Sequence, residues 1–134
     1  MIQQNINIRE IGWNLRIFYC PKTSSQRATV LKCIYNAGCT GINFRRAMNL
    51  IGSGAVNTGL TYSNKSERKT IIVVGISSDA AEFVNTMTHE VNHFIKHVME
   101  ALHITPGTED EAYFTGELFE LIFRDAVLNV LHLL

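Results

Sequence analysis

A long amphipathic stretch between residues 80 and 102 constrains the fold of this chain more than any other feature. Asp79 followed by Glu82 has the spacing of an N-terminal helix cap, which predicts a helix that begins near Ala80. Apolar residues then recur at helical intervals and form one stripe, so the helix is expected to pack by a single face. The stripe consists of Val84, Met87, Val91, Phe94, Ile95, Val98 and Leu102.

The same helix carries two histidines and a glutamate in the order His89-Glu90-x-x-His93. Because a helix turns about 100° per residue, His93 lies roughly 40° round from His89 and one turn along. Both imidazoles can therefore reach one tetrahedral zinc ion, at nitrogen–zinc distances of about 2.0–2.1 Å. Glu90 lies roughly 100° from His89, where its carboxylate can hydrogen-bond a water at the metal as a general base. All three residues are expected on the side away from the centre of the stripe.

A third metal ligand is expected from outside this helix. His97 continues the i, i+4 series, but it lies two turns, about 12 Å, from His89. One metal ion does not bridge that span, so we expect His97 to support the site or to donate a hydrogen bond to the reacting group. Tyr113, in the next predicted helix, is the other candidate for such a donor, although an aromatic residue on a helix face is more often core packing.

The acidic start of the next predicted helix offers the missing ligand. Thr108 and Glu111 have the spacing of a capping box, which predicts that this helix begins at Glu109. Glu109 shares a helix face with the small residues Ala112 and Gly116, which let another helix approach closely. We therefore expect Glu109 to be the third ligand, with Glu111 as the alternative. The competing interpretation is that Glu109 serves only the helix dipole.

The combined pattern resembles a known family of zinc peptidases. His89-Glu90-x-x-His93 followed by Glu109-x-x-Ala112 resembles the gluzincin pattern of HExxH and then ExxA. Residues 85–93 and 109–116, with the upstream stretch 59–75, are similar to small uncharacterised zincin-like proteins encoded by phages and mobile elements of gut Bacteroidales. The gap between the second histidine and the ExxA glutamate is short for a gluzincin, which implies a tight helix–turn–helix.

This resemblance implies a zinc metallopeptidase, a hydrolase whose partner is a peptide or protein substrate. Zinc would be bound by His89, His93 and Glu109, with Glu90 as the general base for the attacking water. In gluzincins an edge strand above the cleft pairs with the substrate backbone, and the resemblance implies that role for residues 60–63. Two alternatives stay open: a regulator that cleaves a single repressor, and a structural or binding protein of a phage or mobile element that is stabilised by zinc without turnover.

Composition and charge indicate one compact domain over residues 1–134. Apolar residues make up 46% of the chain, enough for a single hydrophobic core. Twelve basic residues balance twelve acidic ones, so no broad basic field indicates a nucleic-acid or membrane partner. The three cysteines lack CxxC spacing and no signal peptide is visible, which predicts reduced thiols in a cytoplasmic protein. The resemblance implies that the cytoplasm is that of a bacterial host or that the protein is associated with a phage. The oligomeric state is left open.

The remaining segments predict an α+β fold with a small mixed or antiparallel sheet, because strands and helices do not alternate regularly. The segment 70–76 is apolar at nearly every position, which indicates a strand buried on both faces. Strands are predicted at residues 6–9, 13–19, 60–62 and 70–76.

Two further helices and an apolar C-terminal helix complete the prediction. Thr23 and Gln26 form a capping box before a helix that runs to about Asn36, and a weaker helix is predicted over residues 43–51. The apolar run 118–134 is interrupted by polar residues along one side, which predicts an amphipathic core helix and not a membrane span.

Overall fold

The computed structural model describes residues 1–124 and 130–131. Over these residues a mixed sheet of four strands is flanked by helices, which confirms the α+β fold that the sequence predicts. A short 3-10 turn, Arg9–Ile11, joins the first two strands. The elements in chain order are β1 (Ile2–Ile8), β2 (Trp13–Tyr19), α1 (Ser24–Asn36), α2 (Gly41–Gly52), β3 (Gly59–Asn64), β4 (Lys69–Val74), α3 (Ala80–Leu102) and α4 (Glu109–Ile122).

The sheet has the strand order β1-β2-β4-β3. The pairs β1–β2 and β3–β4 are antiparallel, whereas the central pair β2–β4 is parallel. A parallel pair needs a crossover connection, and the chain makes it through α1, α2 and β3. The strands β1 and β3 are therefore the two edges of the sheet.

Helices cover both faces of the sheet, and each face has its own apolar cluster. On one face α3 packs against alternate residues of the central strands, among them Leu15 and Ile72, which are fully buried. On the other face α1 and α2 pack against Phe18 and Val73. Because both faces of β4 are covered, residues 70–74 are buried at every position. The predicted strand 70–76 is thus confirmed over these residues, but it ends at Val74.

Two helices begin where the sequence places their caps. The Thr23 hydroxyl accepts a hydrogen bond from the Gln26 backbone N–H, and the Gln26 side chain accepts one from the Thr23 backbone, so the predicted capping box of α1 is confirmed. At the start of α3 the Asp79 carboxylate accepts from the Glu82 N–H at 2.8 Å. These caps satisfy backbone donors that have no partner within the helix.

Some boundaries differ from those predicted. The strand β1 begins at Ile2 and not at residue 6, because it pairs with β2 from Ile2 to Ile8. Its half-buried residues alternate with exposed polar ones along the edge of the sheet. The helix α2 begins at Gly41, two residues before the predicted start. The predicted apolar helix 118–134 is described in part: α4 ends at Ile122, and positions 125–129 and 132–134 lie outside the described residues. Within the described ranges, no helix combines the length and apolarity needed to cross a membrane.

Candidate metal centre

The helix α3 is anchored by most of the apolar stripe that the sequence predicts. The stripe is buried from Met87 to Val98, where these residues face the sheet. Val84 is 41% exposed and does not belong to the stripe; Phe83, one position earlier, is fully buried in its place. This packing fixes the rotation of α3 about its axis and so decides which side carries the histidines.

His89 and His93 are exposed and converge on one point. Their Nε2 atoms lie 3.1 Å apart, and their ring centroids are 4.7 Å apart. Two nitrogen ligands of a tetrahedral zinc ion, at about 2.0–2.1 Å from the metal, lie about 3.3 Å from each other. The same distance suits a hydrogen bond from one ring to the other. The separation of the two nitrogens is therefore compatible with a shared metal ion and with a direct hydrogen bond.

Glu90 does not share the solvent-facing side of α3 with the histidines. It is only 5% exposed, because it packs against β3. The Thr61 hydroxyl donates to Glu90 Oε1 at 2.9 Å and also lies 3.0 Å from the Glu90 carbonyl oxygen. The expectation that all three residues of the motif face away from the packed side is therefore wrong for Glu90. The helix α3 contacts β3 in addition to the residues that pack against its apolar stripe. This contact joins residues that are distant in the sequence, so helical periodicity does not predict it.

Gly59 allows β3 to lie directly against Glu90. A Cβ atom at this position would lie 2.7 Å from Glu90 Cγ, 2.8 Å from Glu90 Oε2 and 2.9 Å from Thr86 Cγ2. Each distance is shorter than a carbon atom tolerates, so any larger residue would displace either the strand or the carboxylate. The absence of a side chain at Gly59 thus helps to set the position of Glu90.

His89, Glu90 and His93 form one cluster in which a ligand atom from each residue lies within 4.8 Å of the others. Imidazole nitrogens with a carboxylate are a donor set that suits zinc. The cluster opens onto a cleft between α3 and the start of β3. The cleft is lined by Leu50, Asn57, Thr58, Gly59, Asn85, Thr86, His89 and Glu90.

Glu109 is the first residue of α4, as predicted, and it is exposed. It does not belong to the cluster at His89 and His93. The helix α3 continues for nine residues after His93, about 13.5 Å, before the chain turns into α4. As a zinc ligand, the Glu109 carboxylate would have to join this cluster, and its role as third ligand stays a prediction.

Glu111, the alternative ligand, helps to cap α4, but its carboxylate bonds to Gly107 and not to Thr108 as the predicted capping box requires. Its backbone N–H donates to the Thr108 hydroxyl at 3.4 Å, and its carboxylate accepts from the backbone N–H of Gly107. It also borders a second cleft with Lys96 and Glu100, near the C-terminal end of α3. Tyr113 is 68% exposed, and no hydrogen bond of the described residues joins it to the histidine cluster.

His97 lies next to the metal cluster and contacts β3. Its Nδ1 atom is 2.6 Å from Ser63 Oγ, and its ring centroid is 6.5 Å from that of His93. Burial lowers the pKa of His97, and the positive charge of Lys65 lowers it further. The supporting role of His97 at the site stays a prediction.

The sequence did not assign a role to the side chains of Thr61 and Ser63. Together with Gly59 they occupy alternate positions of β3, so all three face α3. The sequence feature that points to this contact is a small or hydroxyl-bearing residue at every second position of a short strand. This pattern alone does not say which helix the strand meets.

The chain matches no known protein-family model, no curated protein and no solved structure. The fold and the site therefore define this chain as an α+β protein with a candidate metal centre. The resemblance to gluzincins rests on the residues of the motif, and membership of that family stays a prediction.

Proposed function

We propose that the protein is a zinc-dependent metallopeptidase that hydrolyses a peptide bond in a peptide or protein substrate. The observation that carries the proposal is the convergence of His89 and His93, with Nε2 atoms 3.1 Å apart, in one cluster with the Glu90 carboxylate. A purely structural metal site has no need of a carboxylate placed beside two histidine ligands.

Each residue of the proposed site has a separate chemical role. His89 and His93 would hold zinc through Nε2, and Glu109 is the proposed third ligand. Zinc, when bound, supplies a Lewis acid that polarises a carbonyl group and lowers the pKa of water. Glu90 accepts the proton of the attacking water and returns it to the leaving amine. Thr61 holds Oε1 of Glu90 by a hydrogen bond, and Oε2 accepts none from the described residues, so it is available for that proton.

The edge strand β3 provides a place for the substrate backbone. Gly75 N donates to Thr58 O, and hydrogen-bonded pairs alternate along an antiparallel ladder. Residues 60, 62 and 64 therefore bond to β4, whereas Gly59, Thr61 and Ser63 direct their backbone groups to the outer edge. An extended peptide that pairs with this edge would run alongside the histidine cluster.

A non-catalytic protein stabilised by zinc is the second candidate. The observation that favours it is the hydrogen bond between Thr61 and Glu90, which ties β3 to α3 and gives the carboxylate a structural task. A zinc ion at His89 and His93 would then add stability to the fold without turnover. Such a protein, like a peptidase specific for one repressor, fits the phage or mobile-element setting that the resemblance implies.

Substitution of Glu90 separates these candidates. The wild type is screened for cleavage against a peptide library and a host lysate, together with Glu90→Gln and, as a matched control, Glu117→Gln, which changes an exposed acid of α4. A glutamine can still accept the Thr61 hydrogen bond through its oxygen, but it cannot take a proton. We expect cleavage to fall by about 10²–10⁴ in Glu90→Gln and to persist in the control. Equal cleavage by Glu90→Gln would contradict the proposal, and an inactive wild type would favour the structural candidate.

A further inference from the structure

A chain of hydrogen bonds crosses the protein interior from Trp13 to His97. Trp13 Nε1 lies 2.9 Å from Thr70 Oγ1, which lies 2.8 Å from Ser63 Oγ. Ser63 Oγ lies 2.6 Å from Nδ1 of His97. The four residues belong to β2, β4, β3 and α3, so the chain runs through three neighbouring strands to the motif helix.

The direction of donation follows from the chemistry of the groups. An indole N–H only donates, so the Thr70 hydroxyl accepts from Trp13. Thr70 is 1% exposed, and Ser63 Oγ is the one other hydrogen-bond partner of its hydroxyl among the described residues. A buried donor is almost always bonded, so Thr70 donates to Ser63. Ser63 then has one acceptor left for its own proton among the described residues, Nδ1 of His97.

The opposite direction leaves a hydroxyl proton without a partner. A proton on Nδ1 of His97 would be donated to Ser63. If Ser63 also accepted from Thr70, the Ser63 proton would have no acceptor among the described residues; otherwise Ser63 would donate to Thr70. Thr70 would then accept from both Trp13 and Ser63, and its own proton would have no acceptor among the described residues. Burying an unsatisfied donor is unfavourable, so the ring proton of His97 belongs on Nε2.

We propose that Trp13, Thr70 and Ser63 position His97 as a fixed Nε2–H hydrogen-bond donor beside the metal centre, directed at an acceptor oxygen of the bound substrate. His97 is half-buried, and its Nε2 has no hydrogen-bond partner among the described residues. The nature of the acceptor rests on the proposed function: Ser63 lies on the outer edge of β3, where a paired peptide presents carbonyl oxygens. The three relay residues are positioning residues, and only His97 would touch the substrate.

The position of the ring proton is measured by long-range proton–nitrogen NMR on protein labelled with ¹⁵N in histidine. At a pH above the titration of the histidines, we expect wild-type His97 to give the signals of a single tautomer, with the proton on Nε2. Ser63→Ala removes the hydroxyl that donates to Nδ1, while Trp13 and Thr70 keep their own hydrogen bond. In this variant we expect His97 to shift to a mixture of tautomers, as we also expect for exposed His103. A His97→Gln variant assigns the signals.

Ser63→Thr is the matched control because it keeps the hydroxyl and gains a methyl group. We expect it to retain the single tautomer of the wild type. A proton on Nδ1 in the wild type, an unchanged tautomer in Ser63→Ala, or the same mixture in Ser63→Thr would each overturn the proposal. The experiment needs neither substrate nor turnover, so its failure is distinct from failure of the peptidase proposal.

Discussion

Thr61 of β3 donates a hydrogen bond of 2.9 Å to the carboxylate of Glu90 on α3, across 29 residues of sequence. The edge strand of the sheet is thereby joined to the helix that carries both histidines. Because Gly59 also contacts Glu90, two alternate residues of one strand determine where this carboxylate lies. The geometry of the candidate site therefore depends on β3 as much as on the motif itself.

Removing the hydroxyl of Thr61 is expected to destabilise the fold. In Thr61→Val the buried Glu90 carboxylate loses its side-chain donor, which costs about 1–3 kcal/mol of unfolding free energy. Thr61→Ser keeps the hydroxyl and should be closer to the wild type. Urea denaturation of the three proteins measures the difference. A valine variant as stable as the wild type would show that the hydrogen bond contributes nothing to the fold.

Adding one methyl group at Gly59 is expected to disturb the site by steric overlap. The new Cβ of Gly59→Ala would lie 2.7 Å from Glu90 Cγ, so we expect a loss of about 1–3 kcal/mol in stability. Gly116→Ala is the matched control, because nothing lies within 4 Å of its Cβ position in α4. There the same change should stabilise the helix by about 0.5–1 kcal/mol. Thermal or chemical denaturation checks both signs, and equal effects of the two changes would disagree with this account.

The sequence predicts those parts of the fold that local rules determine. The burial of β4 follows from its continuous apolar residues, and the starts of α1 and α3 follow from the caps at Thr23 and Asp79. The beginning of β1 was missed because an edge strand carries polar residues that resemble a loop. Boundaries of this kind depend on pairing with a distant strand.

Only the part of the candidate site that depends on helix geometry was predictable from the sequence. The convergence of His89 and His93 follows from their spacing of four residues, and the structure confirms it. The burial of Glu90 and its bond to Thr61 were not predictable, because they arise when β3 folds over α3. The third ligand was not predictable for the same reason. The start of α4 at Glu109 depends on neighbouring residues, whereas the distance between Glu109 and the histidines depends on how the helices pack.

Substitution of Glu109 is expected to change zinc affinity, whereas substitution of Glu111 is expected to change stability. Glu109→Gln should lower zinc affinity sharply if Glu109 is the third ligand, and it should leave the cap of α4 intact. Glu111→Gln should keep zinc affinity and cost about 0.5–2 kcal/mol of stability through the weakened cap. Zinc titration and denaturation of both variants test this pair. A larger loss of zinc affinity in Glu111→Gln would transfer the ligand role to Glu111.

Binding of zinc is expected to stabilise the folded protein. A ligand that binds only the native state raises the melting temperature with its concentration. Protein stripped with a chelator should therefore melt at a lower temperature than the same protein with zinc restored. In His89→Ala, which removes one converging Nε2, the addition of zinc should no longer shift the melting temperature. A zinc-dependent shift of equal size in that variant would place the metal elsewhere.

The zinc content of the purified protein tests the central claim most directly. Elemental analysis of protein produced in zinc-replete medium, purified without chelators, should find close to one zinc per chain. His93→Ala should lose the metal, whereas His103→Asn should retain it, because His103 lies outside the cluster and asparagine tolerates the left-handed backbone there. Absence of any transition metal from the wild type, or full retention of zinc by His93→Ala, would contradict the assignment of His89 and His93 as metal ligands.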